Sequence, residues 1–355
     1  MARVLVTGAT GWIGSLVTAA LTRAGHAVTA IVRGPPIDGV TCVRGDVTVA
    51  LAGWSADAIA AHAGALDVMI HLAALVRLDA TSGEALARAN VDGTRHALAL
   101  ADALAVRRFV HVSSASVAGD ARAFAETDLD VGQTLRNDYE RTKLRAEQLV
   151  AAHPGPTAIL RVPGVVGDSS TGATRSYDGT FYRALAAYHF VREELAAEWR
   201  AGEREAMERE AIRFDAAGVL SLPVELACDR AGPCAVVPQD WLADTIVALA
   251  LAPAATGTFH LVQAAPPTIG WALDVALARL GVALVPPGSG GPWTRFARRS
   301  LERIARHQLP YLAAAPRLTC ARLPAILGAA YTPCPPFDRA CVERLVDRAV
   351  EARFA

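Results

Sequence analysis

A tyrosine and a lysine stand four residues apart in Tyr139-Glu-Arg-Thr-Lys143, which places them one turn apart on the same face of a helix. A nearby ammonium stabilises phenolate, so we expect Lys143 to lower the pKa of Tyr139 from about 10 toward neutrality, where the phenol exchanges a proton with a substrate oxygen. Lys143 is the only lysine in the chain, whereas 34 of its 35 basic residues are arginine. A surface position would have tolerated arginine, so the retained lysine indicates a compact charge that the chemistry needs.

A cluster of serines supplies a third group. The segment from Val110 to Ser116 reads VHVSSAS, and Ser113 and Ser114 close an apolar strand at the end where doubly wound sheets place their ligands. A hydroxyl there can donate to a substrate oxygen as negative charge develops on it. Ser113, Ser114 and Ser116 are all candidates, and their spacing does not choose among them.

Three glycines form a turn between the first strand and the first helix, in Gly8-Ala-Thr-Gly11-Trp-Ile-Gly14. In such a turn Gly8 permits the tight bend, Gly11 lets the backbone approach a pyrophosphate, and Gly14 lets the helix pack on the sheet. The helix N-terminus then offers free N–H groups to the anion. The pattern predicts a dinucleotide-binding loop.

The end of the second strand predicts which dinucleotide is bound. An NAD site calls for an acidic residue at that position, but the strand ends in Val32-Arg33-Gly34. A guanidinium at Arg33 can clamp a 2′-phosphate, and Val32 provides no carboxylate to repel it. We therefore expect NADP(H) as the cofactor; the competing interpretation of Arg33 is a solvated turn residue.

Apolar strands and helix-period stretches alternate through the first half of the chain, which predicts an α/β fold with a doubly wound, parallel Rossmann sheet. We expect residues 1–163 to form the NADP-binding domain, with 236–262 returning to it. Residues 164–235 and 263–355 would form a smaller, mostly helical substrate-binding part. The predicted elements are strands at Arg3–Thr7, Ala27–Val32, Val68–Leu72, Arg108–Val112, Thr157–Val162 and Thr258–Val262, and helices at Trp12–Ala24, Asn90–Ala103, Tyr139–Ala152, Trp241–Leu251, Ile269–Leu280, Thr294–Ile304 and Arg339–Val350.

The alternation of apolar strands and helical stretches ends after about Gly164. Apolar residues from Phe181 to Met207 recur at spacings that fit one stripe of a long helix. Its other face is dense in glutamate and arginine from Arg192 to Arg213. We interpret that face as solvated and laced with ion pairs; the functional alternative is a lid or partner surface over a substrate cleft.

Composition excludes several classes of protein. Lys+Arg and Asp+Glu both number 35, which argues against binding nucleic acid or an anionic lipid surface. Proline and glycine interrupt the uncharged stretch from Thr245 to Leu273, so no membrane insertion is expected. The six cysteines form neither a disulfide framework nor a metal-ligand pattern, which predicts reduced thiols, no metal and a cytoplasmic protein. We interpret His71 and His111 as core histidines with satisfied hydrogen bonds.

Together these motifs resemble the extended short-chain dehydrogenase/reductase family, over the stretch from Val4 to about Asp168. The resemblance rests on motifs in the family's order: TGATGWIG, Gly45-Asp-Val47, His71-Leu-Ala-Ala74, Asn90-Val-Asp-Gly-Thr94, VSSASVAG, YERTK and Arg161-Val-Pro-Gly-Val-Val-Gly167. It implies that Tyr139 is the acid/base, Lys143 its partner and Ser114 the oxyanion donor. The cofactor contacts that it implies come from Gly8, Thr10, Gly11, Trp12, Ile13 and Gly14 at the phosphates, Arg33, Asp46 and Val47 at the adenosine end, Ala73, Ala74 and Lys143 at the ribose, and Pro163 and Val165 at the nicotinamide.

Within that family, the stretches 71–76, 90–94 and 167–172 look most like the thioester reductase and fatty acyl-CoA reductase branch, although VSSASVAG also resembles the 3β-hydroxysteroid dehydrogenase branch. The resemblance implies an NADPH-dependent oxidoreductase that reduces an acyl thioester or a ketone or aldehyde carbonyl. Its substrate would be a small molecule or an acyl group held by CoA or by a separate carrier protein. The sequence leaves a homodimer open.

Two alternatives use the same fold. A nucleotide-sugar epimerase or dehydratase would need basic residues for a diphosphate, and Arg175, Arg183 and Arg317 are available; the Val32-Arg33 pair argues against the NAD such enzymes favour. A dinucleotide-sensing regulator without catalysis could dispense with Tyr139 and Lys143.

Overall fold

The computed structural model describes residues 1–79, 83–288 and 290–354, and they form two compact units. The first unit comprises Met1–Pro163, Val237–Ala264 and Pro316–Pro335, and the second comprises Gly164–Val236, Ala265–Ala315 and Pro336–Ala355. Each unit is described below by itself.

The strands run in chain order as follows: β1 (Arg3–Thr7), β2 (Ala27–Val32), β3 (Thr41–Arg44), β4 (Val68–His71), β5 (Arg108–Ser114), β6 (Ala123–Phe124), β7 (Thr157–Val162), β8 (Gly164–Val166), β9 (Arg213–Phe214), β10 (Leu220–Leu222), β11 (Val236–Pro238), β12 (Gly257–His260), β13 (Val282–Leu284) and β14 (Arg317–Leu318).

The α-helices are α1 (Trp12–Arg23), α2 (Ala56–His62), α3 (Gly83–Leu86), α4 (Gly93–Ala103), α5 (Asp138–Ala151), α6 (Thr180–Ala201), α7 (Arg204–Glu208), α8 (Gln239–Leu251), α9 (Ile269–Arg279), α10 (Pro292–Ala305), α11 (Leu309–Ala313), α12 (Arg322–Leu327) and α13 (Arg339–Glu351). Short 3₁₀ segments lie at Ala50–Gly53, Ala115–Ala118 and Gly328–Ala330, and a π-helical turn at Ala87–Asp92 leads into α4.

A seven-stranded parallel sheet organises the first unit, in the order β12-β7-β5-β4-β1-β2-β3. Its central strands are buried along nearly their whole length, because helices cover both faces of a sheet of this kind. The strand order reverses beside β1, and ligands of such sheets bind at the carboxyl ends of the strands at that point. The predicted doubly wound α/β fold is thereby confirmed.

The carboxyl ends of three strands carry polar side chains. Thr7 pairs in register with His71, and His71 with His111, so the ends of β1 and β4 lie level at one edge, and β5 extends three residues further to Ser114. Apolar side chains beneath them, among them Leu5, Met69 and Phe109, form a buried cluster with α4. This core fixes the edge at which the predicted site residues stand.

Helices dominate the second unit. Tyr182, Tyr188 and Leu195 of α6 pack in a core with residues of α9, α10 and α13. A small sheet accompanies them, in which β10 pairs parallel to β13 and antiparallel to β9.

Two expectations about the later part of the chain were wrong. The single long helix from Phe181 to Met207 is two helices, since α6 ends at Ala201 and Gly202 takes a left-handed φ of 114°; glycine at this position is a common helix end. Residues 316–335 belong to the first unit, because β14 pairs with β6 and Arg322 donates to the carbonyls of Thr256 and Thr258 at 2.8 Å and 2.6 Å.

Candidate active site

The glycine turn between β1 and α1 has no room for side chains at two of its three glycines. Gly8 has a φ of 75°, and a Cβ there would lie 2.6 Å from the nitrogen of Ala73. A Cβ on Gly14 would lie 2.0 Å from the carbonyl oxygen of Gly8. Thr10 and Gly11 are exposed, and Gly11 caps α1 without a side-chain acceptor. The N–H groups of the first turn, which includes Trp12 and Ile13, are therefore available to an anion. The turn fits the phosphates of a dinucleotide.

A buried hydrogen-bond chain ties this turn to the loop after β4. The Thr7 hydroxyl accepts from the N–H of Ala73 (3.3 Å) and contacts Nδ1 of His71 (2.7 Å). Nε2 of His71 lies 3.2 Å from the Thr94 hydroxyl, which donates to the carbonyl of Asn90. The bonds are all satisfied if His71 is neutral with its proton on Nε2. Burial, with the Lys143 charge adding to it, lowers the pKa of His71 to about 3.

The adenosine end of the site differs from the expectation in one respect. Arg33 is highly exposed, but its guanidinium lies 3.9 Å from the carboxylate of Asp46, so an acid does stand near the end of β2. The parallel pairing of β2 with β3 brings it there. Asp46 also accepts hydrogen bonds at 2.9 Å from the N–H and hydroxyl of Thr48. Burial raises the pKa of Asp46, but these bonds and the Arg33 charge outweigh it and lower that pKa overall.

The other residues expected around the cofactor are distributed over both units. Val47 packs against the start of α4, where a Cβ on Gly93 would lie 3.3 Å from it. Ala73 is half-buried and Ala74 exposed in the loop after β4. Pro163 ends the first segment of the first unit, and Val165 lies in β8 of the second.

Ser114 and Tyr139 are brought together. Their hydroxyls share a hydrogen bond, and the Ser114 hydroxyl also lies 2.8 Å from that of Ser116. Ser113 points elsewhere: it is buried and donates to Glu147 at 2.5 Å. Of the three candidate serines, Ser114 is the one bonded to the tyrosine.

The expected lowering of the Tyr139 pKa was wrong. Burial raises the pKa of Tyr139, and the Glu140 carboxylate adds to the rise while the Ser114 hydrogen bond opposes it. Desolvation of the phenolate therefore decides the direction of the shift. The phenol is protonated at neutral pH, which is the form that can donate a proton.

Lys143 is buried beside the same strand end. Its Nζ donates to the carbonyl of Val112 at 2.9 Å, two residues before Ser114. Burial lowers the pKa of Lys143 to about 8, although the Glu147 carboxylate opposes the shift. The ammonium keeps its charge at neutral pH and has two further protons to donate.

The start of α5 is fixed by polar contacts that orient Tyr139. Asn137 caps the helix by accepting from the N–H of Glu140 at 3.0 Å, and the buried Glu140 carboxylate reaches back to the N–H of Arg136 at 2.7 Å. This reciprocal arrangement satisfies donors at the helix start. It holds the first turn, and with it Tyr139, in one geometry.

Asn90 is a positioning residue that the sequence motif contained but to which no role had been assigned. Its side chain accepts from the N–H of Leu75 at 2.7 Å and donates to the Leu75 carbonyl at 3.0 Å and to the Thr142 hydroxyl at 3.1 Å. Thr142 in turn donates to the carbonyl of Tyr139. Asn90 thereby links the loop that carries Ala73 and Ala74 to the helix that carries the tyrosine.

A buried ion pair behind Lys143 was also missed. Glu147, one turn beyond Lys143, accepts from Nε and Nη2 of Arg161, and both side chains are fully buried. Arg161 also donates to the carbonyls of Ala125 and Asp128. The i,i+4 spacing of Lys143 and Glu147 was a visible signal in the sequence, but nothing in it pointed to Arg161.

The two histidines differ. His71 is satisfied, as expected, but both ring nitrogens of the buried His111 have no hydrogen-bond partner within the described residues, so the expectation for His111 was wrong. Burial, followed by the charge of Lys143, holds the pKa of His111 well below its usual value. His111 stacks on His71 at 5.5 Å between ring centroids.

Two negative findings concern residues 1–79, 83–288 and 290–354. No three acidic, histidine or cysteine side chains group as metal ligands would. None of the helices combines the length and the hydropathy that crossing a membrane requires.

The chain is similar to known proteins in part of its sequence and in its fold. Residues 36–201 match the Male sterility protein family. A 4-hydroxy-2-methyl-3-oxo-4-farnesyl-3,4-dihydroquinoline-1-oxide ketoreductase of Stigmatella aurantiaca is 32% identical over 174 residues, 48% of this chain and 52% of the relative. The chain spans about half the length of these curated relatives.

Two solved reductase structures share the fold along the whole chain. The terminal R domain from the myxalamid PKS-NRPS biosynthetic pathway superposes with a TM-score of 0.77 at 22% identity, covering 100% of this chain and 92% of that one. A thiolation-reductase di-domain from an archaeal non-ribosomal peptide synthetase gives 0.72 at 17% identity, with 100% and 76% covered. Structures of the same fold with bound NAD also match.

The glycine turn and the strand order are those of a dinucleotide-binding fold. The chain has the fold of the short-chain dehydrogenase/reductase structures, and over residues 36–201 it is similar to the Male sterility protein family.

Proposed function

We propose that the chain is an NADPH-dependent reductase of acyl thioesters, in which Tyr139, Ser114 and Lys143 perform the chemistry. The observation that carries the proposal is the hydrogen bond between Ser114 and Tyr139 with the Lys143 ammonium buried one turn further along α5. These groups stand at the carboxyl edge of the sheet, where ligands of this fold bind.

The reaction follows from the protonation states. The cofactor, when bound, supplies a hydride to the carbonyl carbon of the substrate. The carbonyl oxygen then gains negative charge, and Ser114 donates a hydrogen bond to it. Tyr139, protonated because burial raises its pKa, delivers its proton to that oxygen. The Lys143 cation stabilises the phenolate left behind, and solvent protons restore the phenol.

For a thioester the product of these steps is a hemithioacetal. Its hydroxyl proton passes to sulfur as the carbon–sulfur bond breaks, which releases an aldehyde and a free thiol. The resemblance of the stretches 71–76, 90–94 and 167–172 to thioester reductases supports this substrate class, as do the two reductase structures of the same fold.

The preference for NADPH is supported by Arg33. Its side chain is 77% exposed and is bound only loosely to Asp46, at 3.9 Å, so it can turn toward a 2′-phosphate. A 2′-phosphate would compete with the Asp46 carboxylate for the guanidinium. NAD-bound structures of this fold make NADH the cofactor to compare against.

One assay separates the substrate classes. With NADPH and the decanoyl thioester of N-acetylcysteamine, we expect one free thiol for each NADPH oxidised. A ketone reductase is the second candidate, favoured by the identity to the Stigmatella aurantiaca ketoreductase. Consumption of NADPH with a ketone but never with a thioester, and no thiol release, would replace the proposal with this one.

A further inference from the structure

Helix α10 of the second unit carries an unusual concentration of positive charge. Five of the exposed residues, of which the last follows the helix end directly, are arginines: Arg295, Arg298, Arg299, Arg303 and Arg306. Glu302 is the only acidic residue among the fourteen of this helix. The whole chain, by contrast, has no net charge. The helix is therefore a local basic surface on a neutral protein.

These arginines lack the acidic partners that other exposed arginines have. Arg339 pairs with Glu343 at 3.4 Å, Arg348 with Glu351 at 2.7 Å, and Arg279 with Asp347 at 2.6 Å. Within the part of the chain that the structure describes, no ion pair involves Arg295, Arg299 or Arg303. In the described residues, therefore, these three arginines of α10 are exposed without the ion pairs that we expected on the charged face of α6.

Three of the arginines form one row. Arg295, Arg299 and Arg303 follow each other at four-residue intervals, which puts them on one face and about 12 Å apart from first to last. With Pro292, Phe296 and Ser300 they line a groove of about 380 Å³. The Arg303 guanidinium lies 5.8 Å from the centre of the Phe190 ring on α6. Like charges at this spacing repel each other, so the row is unfavourable unless something negative lies against it.

We propose that this row, Arg295, Arg299 and Arg303, docks the acidic surface of a carrier protein that delivers the acyl thioester. The proposal rests on the proposed function, because it takes the substrate to be protein-bound. The row is exposed over two turns of helix, about 12 Å from first to last, so it is longer than a small anion and matches a helix that bears several acidic side chains. A thiolation domain accompanies the reductase in one of the solved structures of this fold.

The test compares one acyl group on three thiols. The substrates are decanoyl acyl carrier protein, decanoyl-CoA and the decanoyl thioester of N-acetylcysteamine, which differ in carrying an acidic protein, a nucleotide, or neither. The variant combines Arg295→Gln, Arg299→Gln and Arg303→Gln. Its matched control combines Arg23→Gln, Arg95→Gln and Arg339→Gln, three exposed arginines that each have an acidic partner. Both variants change the net charge equally.

We expect the row variant to raise the KM for decanoyl acyl carrier protein by about tenfold or more. The kcat, and the KM for the N-acetylcysteamine thioester, stay unchanged, and the control variant behaves as the wild type. Raising NaCl from about 50 to about 500 mM weakens the carrier reaction of the wild type and has much less effect on the row variant.

Other results overturn the proposal. An unchanged KM for the carrier substrate would do so, as would an equal effect in the control variant. A raised KM for decanoyl-CoA alone would assign the row to nucleotide phosphates instead. If the wild type reduces none of the three thioesters, the proposed function fails; titration of fluorescent acyl carrier protein against the wild type and both variants then still decides whether the row binds it.

Discussion

Replacing Glu147 by glutamine removes the only carboxylate that contacts the Arg161 guanidinium in the described part of the chain. Both side chains are fully buried, so Glu147→Gln leaves a cation without a counter-charge in the interior. Breaking a buried pair from one side costs about 3–5 kcal/mol. Because Arg161 keeps its hydrogen bonds to the carbonyls of Ala125 and Asp128, we expect the loss of unfolding free energy to lie in the lower half of that range.

Thermal unfolding followed by circular dichroism measures this effect. A cost of that size corresponds to a fall in Tm of about 5–10 °C, depending on whether the units unfold together. The matched control is Glu343→Gln, which breaks an exposed pair with Arg339 and should lower Tm by less than about 2 °C.

A second substitution separates the loss of charge balance from simple damage to the core. Glu147→Gln combined with Arg161→Gln removes the uncompensated cation, so the double variant should lose less stability than the two single losses added together. The reasoning about a buried charge pair would be refuted if Glu147→Gln had the same Tm as the Glu343→Gln control. It would also be refuted if the stability losses of the two single variants simply added in the double variant.

Three further outcomes are expected. Turnover should fall as pH rises through about 8, because burial lowers the pKa of Lys143 to about 8 and the amine is a cation only below it; a pH profile still rising at 9 to 10 would contradict this assignment. Arg33→Ala should raise the KM for NADPH about tenfold or more and leave the KM for NADH unchanged. Equal effects on both KM values would show that Arg33 does not bind the 2′-phosphate. Gly14→Ala should abolish NADPH binding in a fluorescence titration, since its Cβ would lie 2.0 Å from the Gly8 oxygen, whereas Gly179→Ala, with 3.6 Å to its nearest neighbour, should bind normally.

The sheet and the main catalytic candidates were predictable because they depend on local patterns. Apolar runs gave β1, β2 and β7 with the observed bounds, and a four-residue spacing was enough to place Tyr139 and Lys143 on one face of α5. The glycine turn was predictable because a side chain at Gly8 or Gly14 would collide with neighbouring backbone atoms. Each of these features is encoded within a few consecutive residues.

Features that depend on distant parts of the chain were not predictable. The approach of Asp46 to Arg33 requires the pairing of β2 with β3, and the Arg161 partner of Glu147 in α5 comes from strand β7. The raised pKa of Tyr139 reflects burial, which the charge pattern around Lys143 does not reveal. The break of the long helix at Gly202 did have a local signal, because glycine favours the left-handed conformation that ends helices.

Whether the phenol of Tyr139 transfers the proton is tested most directly by Tyr139→Phe, which removes one oxygen and keeps the buried ring. With NADPH and the decanoyl thioester of N-acetylcysteamine, kcat should fall by about 10²- to 10⁴-fold while the Kd for NADPH stays unchanged. A phenylalanine variant that releases thiol at the wild-type rate would contradict the account.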